Sequence, residues 1–182
     1  MKSHFFFWII IASLSASAQN SSRTIDSLLK ILKKGSHSEQ FERYIMLSDE
    51  YSNSDLNKAE YYSYKALNKA RLVKDDSFIA LSYNNIGNIH QYKSELDSAL
   101  FFHKKTLRLR QSIKDTIGLA DTYNNIGIVY DTKGQYPDAL KYYFKALNFY
   151  ERKGDISKQA MTTTNIGIVY KAQKEYNKAL YY

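Results

Sequence analysis

Two histidines, His90 and His103, are the residues of this chain whose type and placement could do chemistry. They fall on two neighbouring predicted helices, so their imidazoles could converge and share a transition metal. A zinc site needs three or four ligands, and no third histidine, cysteine or carboxylate stands at a matching spacing. The competing role is packing, because each histidine occupies a position that neighbouring segments fill with tyrosine. No phosphate-cradling glycine loop, His-Glu-x-x-His segment or Gly-x-Ser-x-Gly elbow occurs. The expectation is a non-enzymatic chain with no catalytic residue, no metal site and no cofactor. A metal-dependent enzyme using His90 and His103 stands as the rival of a different class.

A second pattern concerns asparagine. The chain reads YNNIG at 83–87, YNNIG again at 123–127 and TTNIG at 163–167. A shift of forty residues also aligns Ala59, Ala99, Ala139 and Ala179, and Asp75, Asp115 and Asp155. Repetition at this period signals stacked copies of one supersecondary unit. Within a copy, Leu119, Tyr123, Ile126, Gly127 and Tyr130 recur at helical spacing, and a second stripe holds Tyr136, Ala139, Leu140, Tyr143, Leu147 and Tyr150. Each unit is therefore a helix pair joined at Lys133-Gly134-Gln135. Asp115 and Asp155 fall where a short carboxylate caps the next helix, and Gly134 where a helix must stop. Pro137, the one proline, lies in the opening turn of a helix, where it is tolerated. Most of the 17 tyrosines fall on these stripes and fill the core.

The spacing Tyr123-x2-Ile126-Gly127-x2-Tyr130, then Ala139-x3-Tyr143, resembles the tetratricopeptide repeat, whose signature is Trp-x2-Leu-Gly-x2-Tyr followed by Ala-x3-Phe. The first aromatic here is Tyr, and the period matches a longer subclass of that family. The resemblance implies an all-α, right-handed superhelical solenoid of antiparallel helix pairs. Its units read as a leading segment with a helix at 19–37, a degenerate repeat at 38–77, full repeats at 78–117 and 118–157, and a partial repeat at 158–182. The degenerate unit carries Leu47-Ser48 where others carry Ile-Gly. The partial unit stops about two turns into its second helix without a polar cap, which creates the expectation of a longer parent chain.

On the first helix of each unit, Asn125 lies opposite the packing stripe, with Asp121, Ile128 and Thr132 on its face. The matching rows are Leu81, Asn85, Asn88 and Tyr92, then Met161, Asn165, Ile168 and Ala172. An amide both donates and accepts, so Asn85, Asn125 and Asn165 suit the backbone of an extended peptide. Resemblance points the same way, since first helices of the family line a concave groove. The candidate groove is thus Asn85, Asn88, Asp121, Asn125, Ile128, Asn165 and Ile168. The same asparagines could instead bond neighbouring repeats.

The chain begins MKSHFFFWIIIASLSASAQN, with Lys2, an apolar run from Phe5 to Leu14 and Ala16-Ser17-Ala18. That is the form of a secretory signal peptide over 1–18, cleaved after Ala18; the run is short of the roughly 20 residues that span a bilayer. Export, to the periplasm or another extracytoplasmic space, is expected. With no cysteine the protein relies on packing alone. The net charge is +8, but 18 acids are interspersed with the cations, and nucleic acid is not an expected partner. The densest basic stretch, Lys104, Lys105, Arg108, Arg110 and Lys114, reads as a solvated face. The expected partner is a peptide or protein segment, and any membrane tether would lie beyond Tyr182. Resemblance further suggests the extracytoplasmic input region of a bacterial sensor kinase or related regulator; a stand-alone periplasmic scaffold is the alternative.

Overall fold

Helix follows helix through the computed structural model, which describes residues 21–182. Residues 1–18, expected to form a signal peptide, lie outside the described residues. α1 occupies residues 21–31, followed by α2 (His37–Tyr51), α3 (Leu56–Val73), α4 (Asp76–Tyr92), α5 (Leu96–Ser112), α6 (Thr116–Thr132), α7 (Tyr136–Lys153), α8 (Ile156–Ala172) and α9 (Tyr176–Tyr181). Contacts divide the chain into two units, one ending at Val73 and one spanning Lys74–Tyr182.

In the second unit each pair is closed by the same device. The first helix ends on a left-handed residue, Ser94, Gly134 or Lys174, and the second on Lys114 or Gly154. Behind it the chain makes a six-residue closing bond, as from Gln135 N to Tyr130 O and from Glu95 N to His90 O; this satisfies carbonyls that the helix end orphans. Only Gly134 and Gly154 take this conformation without a side-chain penalty. Asp75, Asp115 and Asp155 then cap α4, α6 and α8 by accepting from backbone N–H groups one turn in, as expected for Asp115 and Asp155.

The pairs are antiparallel: along α6 and α7, Tyr123 faces Phe149, Gly127 faces Tyr143 and Tyr130 faces Tyr142. At the centre of the α4–α5 and α6–α7 pairs one helix comes close enough that the partner's ring lies on bare backbone. A Cβ built on Gly127 would stand 2.6 Å from the Tyr143 ring, and one on Gly87 would stand 2.7 Å from the His103 imidazole. His103 therefore packs where Tyr143 packs one repeat later, and both are fully buried. Neither ring nitrogen of His103 has a hydrogen-bond partner among the described residues. Burial, helped by the charge of Arg110, pushes its pKa down to about 4.

The first unit solves the same contact differently. Ser48 stands in the glycine position and Ser63 in the ring position, and their hydroxyls meet at 2.6 Å, with Ser48 also donating to the Ala59 carbonyl at 2.9 Å. A small-plus-large pair has become two small polar residues that satisfy each other. Its leading helix stops at residue 31, and Gly35, at φ 79°, leads into a capping box in which Ser36 and Glu39 exchange backbone and side-chain bonds.

Two predictions follow from the glycine contact. Gly127→Ala gains about 1 kcal/mol of helix propensity but overpacks a ring contact at a cost of about 1–3 kcal/mol, so urea denaturation should show a net loss, larger for Gly127→Leu. For His103, the folded state binds its proton about 2.5 pH units below the ordinary value of 6.5. The unfolded chain therefore takes up the proton first on acidification. The stability tied to His103 is complete above about pH 6.5 and declines toward pH 4, by on the order of 3 kcal/mol. His103→Phe should flatten the pH dependence of the denaturation midpoint in that window; an unchanged slope would refute the assignment.

Candidate functional site

The first helices of the second unit approach one another: α4 comes within 8 Å of α6, and α6 of α8, between Cα atoms, whereas α5 and α7, and α7 and α9, do not. The pairs thus fan open on the side of the second helices and close on the side of the first. The row that the sequence placed opposite the packing stripe lies on those closing helices.

At the α4–α6 junction the Asn125 amide donates from Nδ2 to Asn84 Oδ1 at 3.1 Å and to Asn88 Oδ1 at 3.3 Å. The donor half of this side chain is spent on holding two repeats together, and its carbonyl oxygen remains an acceptor. At the α6–α8 junction Thr162 Oγ1 reaches Asn124 Oδ1 at 3.5 Å, while the Asn165 side chain makes no hydrogen bond among the described residues. The difference lies one turn along α6, where Ile128 occupies the position held by Asn88 on α4. Asn85 is buried, so it differs in setting from the half-buried Asn125 and Asn165. Asn84 and Asn124, which the face calculation left out, are the acceptors of these junctions; the doubled asparagine in YNNIG was the signal for them.

The remaining candidates separate in the same way. Asp121 accepts from the Tyr150 hydroxyl at 2.8 Å and from Lys158 Nζ at 2.7 Å, so its charge is engaged by α7 and α8. Ile128 packs against the cluster of Ala139, Tyr143, Ile166 and Val169. Ile168 stays half exposed, with Leu81, Tyr92 and Met161 also exposed on the same helices. The result is a face on which the Asn125 carbonyl oxygen and the Asn165 amide lie among apolar side chains with little free charge, able to bond a peptide backbone and seat apolar side chains.

The two histidines do not form a paired site. The His90 ring stacks on Phe102 with an interplanar angle of 8° and donates from Nδ1 to Glu95 at 2.6 Å, while His103 is sealed against Gly87. Among the described residues no three His, Cys, Asp or Glu side chains are grouped so as to hold a metal ion.

Comparison with known proteins agrees with this architecture. A family model described as tetratricopeptide repeat matches residues 78–152 and 118–182. No curated protein matches the chain. Among solved structures, BtubC from P. vanneervenii is similar at 19% identity with a TM-score of 0.74, over 91% of this chain and 69% of that one. A signal transduction ATPase with numerous domains and a tetratricopeptide repeat sensor, from Pyrococcus horikoshii, is similar at 23% identity with a TM-score of 0.79, over 94% of this chain and 27% of that one. A Rap protein complexed with Competence and Sporulation Factor is similar at 16% identity with a TM-score of 0.79, over 92% and 48%. The chain thus spans about a quarter and about half of these last two. Such identities speak to fold, and with a family model covering the glycine contacts, the caps and the paired stripes of residues 78–182, this chain belongs to the tetratricopeptide repeat family.

Proposed function

We propose that the protein is a non-enzymatic scaffold that binds an extended peptide or protein segment along α4, α6 and α8. The observation that carries this reading is Asn165, an amide without an internal partner that sits beside exposed Met161 and Ile168 and continues the row begun by Asn125. A mid-helix asparagine is a mediocre helix former, and this one contributes no bond to the stack. The Rap protein solved with a bound factor supports binding as a use of this fold.

We further infer that the scaffold is exported and acts as the extracytoplasmic input or interaction region of a longer bacterial signalling protein. The basic, apolar and small-residue order of residues 1–18 supports export. A relative that joins such repeats to a signal transduction ATPase supports the input role. A stand-alone periplasmic scaffold is the second reading, with the same export and no output. Among the described residues no helix is long and apolar enough to cross a membrane, so on this reading any tether lies outside them.

Selection from a display library of unstructured peptides should yield ligands for the wild-type protein. Asn165→Ala should weaken the selected peptides by about fivefold, the worth of one hydrogen bond, with unchanged melting. Asn125→Ala should weaken binding and stability together, because it also breaks the junction with Asn84 and Asn88. Selected peptides that bind both variants as tightly as wild type would sink the groove. For export, intact-mass measurement of protein secreted from a bacterial host should show a mature chain starting at Gln19; a retained Met1–Ala18 would refute the signal.

A further inference from the structure

We propose that the second unit carries another binding site, on a flank distinct from the amide face, which takes an acidic chain segment. On this flank the first half of each first helix meets the last half of its own second helix and leaves a groove. Between α4 and α5 the groove is about 470 Å³, lined by Asp76, Ile79, Tyr83, Lys105, Arg108 and Leu109 among others. Between α6 and α7 a groove of about 370 Å³ is lined by Tyr123, Lys141, Phe144, Lys145, Asn148 and Phe149. Tyr123, Lys145 and Phe149 stand forty residues after Tyr83, Lys105 and Leu109, so one site is built twice.

Both grooves hold a lysine over aromatic rings. Lys105 Nζ lies 5.3 Å from the Tyr83 ring centroid and 4.5 Å from that of Phe101. Lys145 Nζ lies 5.4 Å from Tyr123 and 5.7 Å from Tyr142. A ring quadrupole fixes an ammonium in place without neutralising it. Four other cations of the unit are paired, Arg110 with Asp115, Lys133 with Asp97, Lys158 with Asp121 and Lys178 with Glu175. Lys105, Arg108, Lys141 and Lys145 have no carboxylate partner among the described residues. Asp76 is the one acid lining the first groove, against two cations, and the second groove has two cations and no acid.

The basic stretch expected to be a uniform solvated face is therefore divided. Arg110 is buried, donating to the Gly118 carbonyl and, at 2.9 Å, to Thr122 Oγ1, while Lys105 and Arg108 point into a groove. Positive charge selects an acidic ligand. The apolar and aromatic side chains beside the cations, Ile79, Tyr83 and Leu109 in one groove and Tyr123 and Phe149 in the other, select a chain segment that mixes acidic with apolar side chains.

The test is fluorescence anisotropy of a fluorescein-labelled peptide of repeating Glu-Glu-Leu triplets, with a Gln-Gln-Leu peptide as control. Saturable binding of the acidic peptide alone, weakened by added sodium chloride, is expected. Lys105→Gln with Arg108→Gln, and Lys141→Gln with Lys145→Gln, should each lower affinity about tenfold, since each exposed ion pair contributes up to about 1 kcal/mol. Lys105→Arg with Lys145→Arg should retain binding, which separates charge from fold, and Asn165→Ala should leave it unchanged. Absence of saturable binding, equal binding by the glutamine variants, or loss caused by Asn165→Ala would each overturn the proposal. So would binding of phosphatidylglycerol vesicles, but not of the peptide, that the glutamine variants abolish; that result would assign the flank to a membrane surface.

Discussion

A ring lying on a helical glycine sets the geometry of each full pair. At Gly127 the Tyr143 ring occupies the space where any other residue would carry its Cβ, and at Gly87 the His103 imidazole does the same. The approach costs helix propensity at the glycine and is offset by complete burial of the ring. Flanking ring pairs such as Tyr130 on Tyr142 and Tyr123 near Phe149 then fall into register. Ser48 and Ser63 show the contact has a second solution, in which two small hydroxyl residues hydrogen-bond where glycine and ring would otherwise meet.

Stacking of one pair on the next follows from what the second helix offers its successor. Arg110 on α5 reaches α6 through Gly118 and Thr122, and its counterpart Tyr150 on α7 reaches Asp121, which Lys158 on α8 also binds. Because successive first helices touch and successive second helices do not, the asparagines at the closing edge are drawn into the joints. Asn125 becomes half joint and half surface, and Asn165 stays surface because Ile128 offers it no acceptor.

The second unit consequently presents two chemistries. Along the first helices lie amides and apolar side chains, with Asp121 neutralised by its neighbours. On the flank lie Lys105 and Lys145 over aromatic rings, with Arg108 and Lys141 beside them. The period that builds the stack also duplicates each of these features, which gives a weak local site the chance to act twice on one extended ligand.

Much of the fold was legible in the sequence. The forty-residue period, the two apolar stripes, the capping aspartates and the turn at Gly134 depend on local backbone preference and helical periodicity, and these are written in the order of residues. The glycine was legible as a close contact, but not its partner, since which ring fills the notch is a property of two helices. The asparagine face was legible as a face. Its division into joint and open surface was decided only in the folded stack, where Asn84 and Asn88 both accept from Asn125, whereas at the next junction Asn124 is reached by Thr162 and Ile128 stands in place of Asn88. The basic stretch behaved likewise: charge and spacing are in the sequence, but burial of Arg110 and the placement of half-buried Lys105 over Tyr83 are set by packing, because desolvation depends on neighbours that are distant along the chain.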